Sequence, residues 1–180
     1  MRGNALRFAL AGVALASLAG CATFGATPPA AGVEFVLVRH AEKVDASRDP
    51  DLSPAGHTRA QALAAWLEGR GLVGIYATEF KRTGQTVGPT AAAHALPVTA
   101  YPSAQPAAEF AAALKAAHPR GVVLIAGHSN TVPGIVAALC NCETAPMADQ
   151  EYDRLSSIRI DASGRVRLEI SRYGSASPAP

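Results

Sequence analysis

Between residues 33 and 140, short apolar runs alternate with longer stretches of helical periodicity, and that alternation leaves few architectures open. Val33-Glu34-Phe35-Val36-Leu37-Val38 is mostly apolar and β-branched and predicts a buried strand. Asp51-Leu52-Ser53-Pro54 offers an N-cap serine with proline at the first helical position. The helix that follows has Ala60, Leu63, Ala64 and Leu67 on one face and is expected to run to about Arg70, stopping near Gly71. Further strands are expected at 73–77, 97–101 and 122–126, and further helices at 83–94, 107–118 and 132–140. Gly84, Gly88 and Pro89 weaken the second helix. Val122-Val123-Leu124-Ile125-Ala126 is apolar throughout, as a strand covered on both faces must be. Residues 155–160 and 166–170 alternate apolar and polar side chains about Ala162-Ser163-Gly164, which predicts a β-hairpin with one wet face. The expected fold is a three-layer α/β sandwich with a mainly parallel central sheet and a C-terminal β-hairpin at one edge.

The N-terminus reads as processing signal rather than fold. Arg2 and Arg7 form a basic start, and residues 8–18 are an apolar run of about eleven residues, too short to span a ~30 Å hydrocarbon core. Small residues at Ala19 and Gly20 then precede Cys21. Leu18-Ala19-Gly20-Cys21 resembles the lipobox of bacterial lipoproteins, in which the cysteine is lipidated and becomes the mature N-terminus. Residues 1–20 are therefore expected to be a signal peptide and 21–32, rich in Ala, Thr, Pro and Gly, a tether. One domain follows at 33–174, with a frayed tail at 175–180. By the same resemblance, Ala22 after the cysteine implies sorting to the outer membrane, facing the periplasm, with membrane contact through the lipid anchor. Arg2 and Arg7 are two of 16 basic residues, so 14 remain against 14 acidic ones and no basic field points to nucleic acid.

Two strands end in titratable residues. The first runs into Arg39-His40-Ala41-Glu42-Lys43, and the strand at 122–126 into Gly127-His128-Ser129-Asn130. Between them comes Glu79-Phe80-Lys81-Arg82-Thr83-Gly84-Gln85-Thr86. In open α/β sheets ligands bind beyond the carboxyl ends of strands. Two arginines and two histidines at one rim suit phosphate chemistry: guanidinium presents a planar fork of donors to phosphoryl oxygens, and imidazole can be a neutral nucleophile near pH 7.

These three segments resemble, in order, the Arg-His-Gly signature, the Ser-x-x-x-Arg-Ala-x-Gln-Thr segment and the second-histidine motif of the histidine phosphatase superfamily, whose fold is phosphoglycerate-mutase-like. Asp51-Leu52-Ser53-Pro54-Ala55-Gly56 is similar to the family's Leu-Ser/Thr-x-x-Gly helix start. The resemblance implies a phosphatase in which His40 attacks phosphorus in line and becomes phosphohistidine. It implies that Arg39 and Arg82 clamp the phosphoryl oxygens while His128 donates a further hydrogen bond, with no metal and no cofactor. The implied substrate is a phosphorylated small molecule, sugar or envelope component. His57, His94 and His118 lack such company and read as surface or helix-end residues.

Two departures stand out. Ala41 occupies the position where the family has glycine, so the turn there must accept a Cβ. The stretch 101–106 carries no carboxylate to protonate a leaving group, which leaves Glu42, Asp45 and Glu109 as candidates. Cys140 and Cys142 admit plain thiols, a tight disulfide or soft-metal ligation. A serine hydrolase would need glycine where Thr131 stands, and a zinc deaminase a Pro-Cys-x-x-Cys that Cys140-Asn141-Cys142 does not supply. The rival of another class is an envelope lipoprotein that binds a phosphate ligand, or holds a partner, without catalysis.

Overall fold

The computed structural model describes Met1 and residues 32–178. The expected signal peptide at 1–20, nearly all of the tether and Cys21 lie outside the described residues. Ten elements follow one another: β1 (Val33–Arg39), α1 (Pro54–Leu67), β2 (Leu72–Thr78), α2 (Lys81–His94), β3 (Val98–Tyr101), α3 (Ala107–Ala117), β4 (Gly121–Gly127), α4 (Val132–Cys140), β5 (Arg154–Ile160) and β6 (Val166–Arg172). The six strands form one sheet in the order β3-β2-β4-β1-β5-β6. The first four are mutually parallel, and the C-terminal hairpin adds antiparallel to β1 at one edge.

Strand side chains alternate between faces, so an unbroken apolar run requires cover on both. In β1, Phe35 and Leu37 pack with Phe110 and Leu114 of α3 and Ile135 and Leu139 of α4. Val36 and Val38 point the other way, into a cluster with Leu63 and Leu67 of α1 and Val87 of α2. Two helix layers thus sandwich the sheet, and the chain reaches the carboxyl edge of β1 and β4 between them.

Three expectations need correction. Helix α1 ends at Leu67 rather than near Arg70, because Gly69 takes a left-handed φ of 70° that only glycine adopts freely. Arg70 then turns back onto Glu34 and lies 4.0 Å over the Trp66 ring. The wet part of the hairpin lies mostly on β6, since in β5 Ser156 and Ser157 are buried beside Leu155 and Ile158, Ser157 hydrogen-bonds Glu34, and only Arg159 is exposed. The tail is not frayed through its described part, since Ser177 Oγ accepts from the backbone N–H of Tyr152 and Asp153 at 2.8 and 3.0 Å. Of the three readings of Cys140 and Cys142, the structure has them disulfide-bonded at the end of α4.

Candidate active site

The site forms where β1 and β4 end side by side. Arg39 pairs in register with Gly127, and the His40 N–H donates to the Gly127 carbonyl at 2.9 Å. One residue beyond, the His40 and His128 rings lie 5.4 Å apart, edge to face. Helix α2 starts just after β2, whose neighbour is β4, and so delivers Arg82 with Nη2 3.4 Å from His128 Nδ1. Arg39, His40, Arg82 and His128 therefore converge, as the sequence predicts.

The imidazole of His40 is 4 % exposed. Its Nδ1 lies 2.8 Å from the Ala41 carbonyl, which can only accept, so Nδ1 carries the proton and Nε2 the lone pair. Burial first, then the charges of Arg39, His128 and Arg82, push its pKa down to about 3 against one favourable backbone hydrogen bond. A neutral imidazole with a fixed tautomer is the form that can act as a nucleophile. Ala41 keeps a negative φ and is fully buried, its N–H donating to Thr86 Oγ1 at 2.9 Å, so the missing glycine leaves no strain. Gly56 of the helix-start motif has a definite job nearby: a Cβ there would collide with the Glu42 carbonyl.

Among the described residues, neither arginine is neutralised by a hydrogen-bonded carboxylate. Arg39 donates through Nη1 to the carbonyls of Ala148 and Asp149 at 3.1 and 2.6 Å and lies 4.3 Å over the Tyr152 ring. Arg82 donates to the Arg48 carbonyl at 3.2 Å, stands 3.8 Å from Asp49 and lies 4.3 Å over Phe80. In both, Nε is buried with no hydrogen-bond partner among the described residues. A buried cationic donor left unpaired is unfavourable, and both guanidiniums lie near enough to His40 to act on its charge, so an oxyanion beside that ring would offset them.

His128 is 8 % exposed, with burial and then Arg82 pulling its pKa down to about 4 while Glu79 pulls it up. Nε2 lies 3.0 Å from Thr78 Oγ1, which in turn meets Thr83 Oγ1 at 2.8 Å. Thr78 escaped the sequence reading although a signal was there: it stands four residues before Arg82, a hydroxyl where the family segment has serine. Tyr152, whose ring centre is 6.0 Å from that of His40, gave none, because it arrives from an irregular stretch before β5.

The candidate proton donors fare less well. Both Glu42 oxygens are occupied by Arg59 at 2.7–3.0 Å. Asp45 caps the N–H of Ser47 in the exposed loop, and Glu109 is exposed in the first turn of α3. Glu79, not among the expected candidates, accepts from Ser103 N–H and Oγ at 2.8 Å each. Slight burial favours its neutral form, but the hydrogen bonds from its own backbone and Ser103, with the His128 charge, hold its carboxyl below the usual range. Of the other histidines, His57 is exposed, His94 ends α2, and His118 caps α3 with Nε2 2.8 Å from the Tyr76 hydroxyl.

Two buried neutral histidines tie stability to pH. Both start from 6.5 and are lowered in the fold to about 3 and about 4. The unfolded chain thus binds more protons as pH falls below 6.5, so this stability is complete above about pH 6.5 and is lost toward pH 4. Between pH 7.5 and 5 the expected loss is on the order of 2 kcal/mol per histidine. Urea midpoints at the two pH values measure it, and the loss should roughly halve in His40→Asn; an unchanged wild-type midpoint would contradict neutral burial of the pair.

Residues 35–105 match the histidine phosphatase superfamily (branch 1). No curated protein matches the chain significantly. Among solved structures, the fold is similar to that of the protein histidine phosphatase SixA complexed with tungstate, at 23% identity and a TM-score of 0.60, covering 77% of this chain and 96% of that one. It is similar to a mycobacterial glucosyl-3-phosphoglycerate phosphatase at 17% identity and a TM-score of 0.62, over 78% and 99% of the two chains. A phosphoserine phosphatase from Entamoeba histolytica, in complex with 3-phosphoglyceric acid, aligns at 14% identity and a TM-score of 0.57, over 79% and 98%. The chain is thus similar in sequence to the histidine phosphatase superfamily across 35–105, and its fold is that of these phosphatases.

Proposed function

We propose that this protein is a metal-independent phosphohydrolase that works through a phosphohistidine on His40, acting on a phosphorylated small molecule, sugar or envelope component. The observation that carries this reading is the pair of buried, unpartnered Nε–H donors of Arg39 and Arg82 beside a neutral His40 whose Nε2 lone pair is free. The arginines and His128 hold the phosphoryl oxygens. The His40 Nε2 lone pair forms the N–P bond as the bond from phosphorus to the leaving group breaks, and the leaving group takes the electron pair. Water then attacks phosphorus, the N–P electrons return to the imidazole, and phosphate leaves with the water's hydroxyl while its second proton passes to solvent. Charge spreading over the phosphoryl oxygens meets cationic donors already in place, which is where most of the acceleration arises.

Turnover of p-nitrophenyl phosphate, which has a good leaving group, should survive excess EDTA and fall with vanadate, whose trigonal-bipyramidal adduct imitates in-line displacement. Loss of turnover in EDTA that a divalent ion restores would contradict metal independence.

We also propose that Cys21 is lipidated and holds the domain in the bacterial cell envelope, at the outer membrane facing the periplasm. The support is Leu18-Ala19-Gly20-Cys21 with Ala22 behind it. Expressed with its leader, the protein should incorporate labelled palmitate and partition into detergent, and Cys21→Ala should do neither. Equal label in both would contradict lipidation at this cysteine.

A further inference from the structure

The hydroxyl chain beneath His128 fixes more than a ring position. Thr83 Oγ1 lies 2.7 Å from the Phe80 carbonyl, which can only accept, so the Thr83 proton points there. Thr78 Oγ1 is then the donor in its 2.8 Å contact with Thr83 Oγ1. With its one proton so committed, Thr78 Oγ1 accepts from His128 Nε2 at 3.0 Å, and Nε2 must carry the ring proton. Nδ1 is left with the lone pair and receives the Arg82 Nη2 donor at 3.4 Å. In the free protein, therefore, the ring nitrogen beside Arg82 is an acceptor, and a phosphoryl oxygen is an acceptor too. One of the two must gain a proton when they meet.

We propose that Thr78 is a positioning residue that holds His128 with Nδ1 deprotonated, so that binding of a tetrahedral dianion draws one proton from solvent onto Nδ1. This rests on the phosphate-site reading above. The charged groups that act on His128 are Arg39 from β1, Arg82 from α2 and Glu79 from the turn between β2 and α2, and His40 is its titratable neighbour. Burial first, then Arg82 and Arg39, keep the ring neutral in the free protein against the pull of Glu79, with its pKa lowered to about 4. A dianion reverses that balance. Each unit of negative charge about 4 Å away, at an effective dielectric of about 20, raises proton affinity by roughly three orders of magnitude. His128 is then cationic in the complex, where it donates to the phosphoryl group through Nδ1 and to Thr78 through Nε2.

Tungstate is the probe, because it stays a dianion at neutral pH and contributes no proton change of its own. Calorimetric titration of the full-length protein at pH 7, in buffers of different ionisation enthalpy, counts the protons exchanged. Wild type, His40→Ala and Thr78→Ser should each take up close to one proton per tungstate bound. His128→Asn should take up none. Thr78→Val removes the acceptor that fixes the tautomer, so imidazole ¹⁵N shifts should show Nδ1 of His128 partly protonated in the free variant. Imidazole ¹⁵N shifts of the wild type decide the matter without any substitution: His128 Nδ1 should be unprotonated in the free protein and protonated in the complex. Tungstate binding without proton uptake, uptake that persists in His128→Asn, an Nδ1 as unprotonated in free Thr78→Val as in the wild type, or a protonated Nδ1 in the free wild type, each overturns the inference. Failure of tungstate to bind at all would instead overturn the phosphate site on which it rests.

Discussion

His40→Ala should reduce kcat to the background of the assay, because it removes the nitrogen whose lone pair is fixed by the Ala41 contact and left free beside the two arginines. Phosphate should still bind weakly to that variant, since Arg39 and Arg82 keep their positions through the carbonyls of Ala148, Asp149 and Arg48 rather than through His40. His128→Ala removes a donor to the developing charge and leaves the nucleophile intact. By comparison with deleting one oxyanion donor, it should lower kcat about a hundredfold to a thousandfold. The two losses therefore differ in kind, and single-turnover kinetics separates them: phosphoenzyme forms slowly in His128→Ala and never in His40→Ala. Equal residual rates in the two variants would contradict this division of labour.

Glu42→Ala should destabilise the fold by about 3–5 kcal/mol, the range for removing one partner of a buried ion pair. Arg59 is 3 % exposed, and its Nε and Nη2 are held by Glu42 while Nη1 reaches the Tyr173 carbonyl. Without the carboxylate a guanidinium is left buried and unpaired in α1. The pair also ties the loop after His40 to α1 and, through Tyr173, to the end of the sheet. Urea unfolding measures the loss. Well below the unfolding midpoint, the pH dependence of kcat in Glu42→Gln should keep the wild-type shape, because a carboxylate that accepts three Arg59 hydrogen bonds is not the proton donor. Disappearance of a limb from that pH dependence would assign Glu42 a catalytic role instead.

Most of the framework is legible in the residues because two periodicities are easy to tell apart. The run from Val33 to Val38 and that from Val122 to Ala126 could only be strands covered on both sides, and Ser53-Pro54 marks the start of α1 as it should: Ser53 Oγ accepts the Gly56 N–H at 3.1 Å. What escaped depends on contacts distant in sequence. Ser156 and Ser157 look like the polar face of a hairpin, yet they lie inside because β1 and β6 flank β5 and Ser157 finds Glu34. Ser177 looks like part of a loose tail until Tyr152 and Asp153 are folded beneath it. The four residues of the candidate site could be picked out in the sequence because each ends a strand, follows one or opens a helix, where position and motif agree. Thr78, Glu79 and Tyr152 were missed because their importance comes from what they touch: His128, Ser103 and Arg39 respectively.

The central claim is that His40 carries the phosphoryl group. The direct measurement is rapid trapping of the enzyme with a ³²P-labelled substrate without acid, followed by mapping of the labelled peptide by mass spectrometry. The label should be acid-labile and base-stable, as a phosphoramidate is, and should sit on His40 alone. Label on His128 or on a serine, or turnover with no labelled protein at any time, would contradict the account.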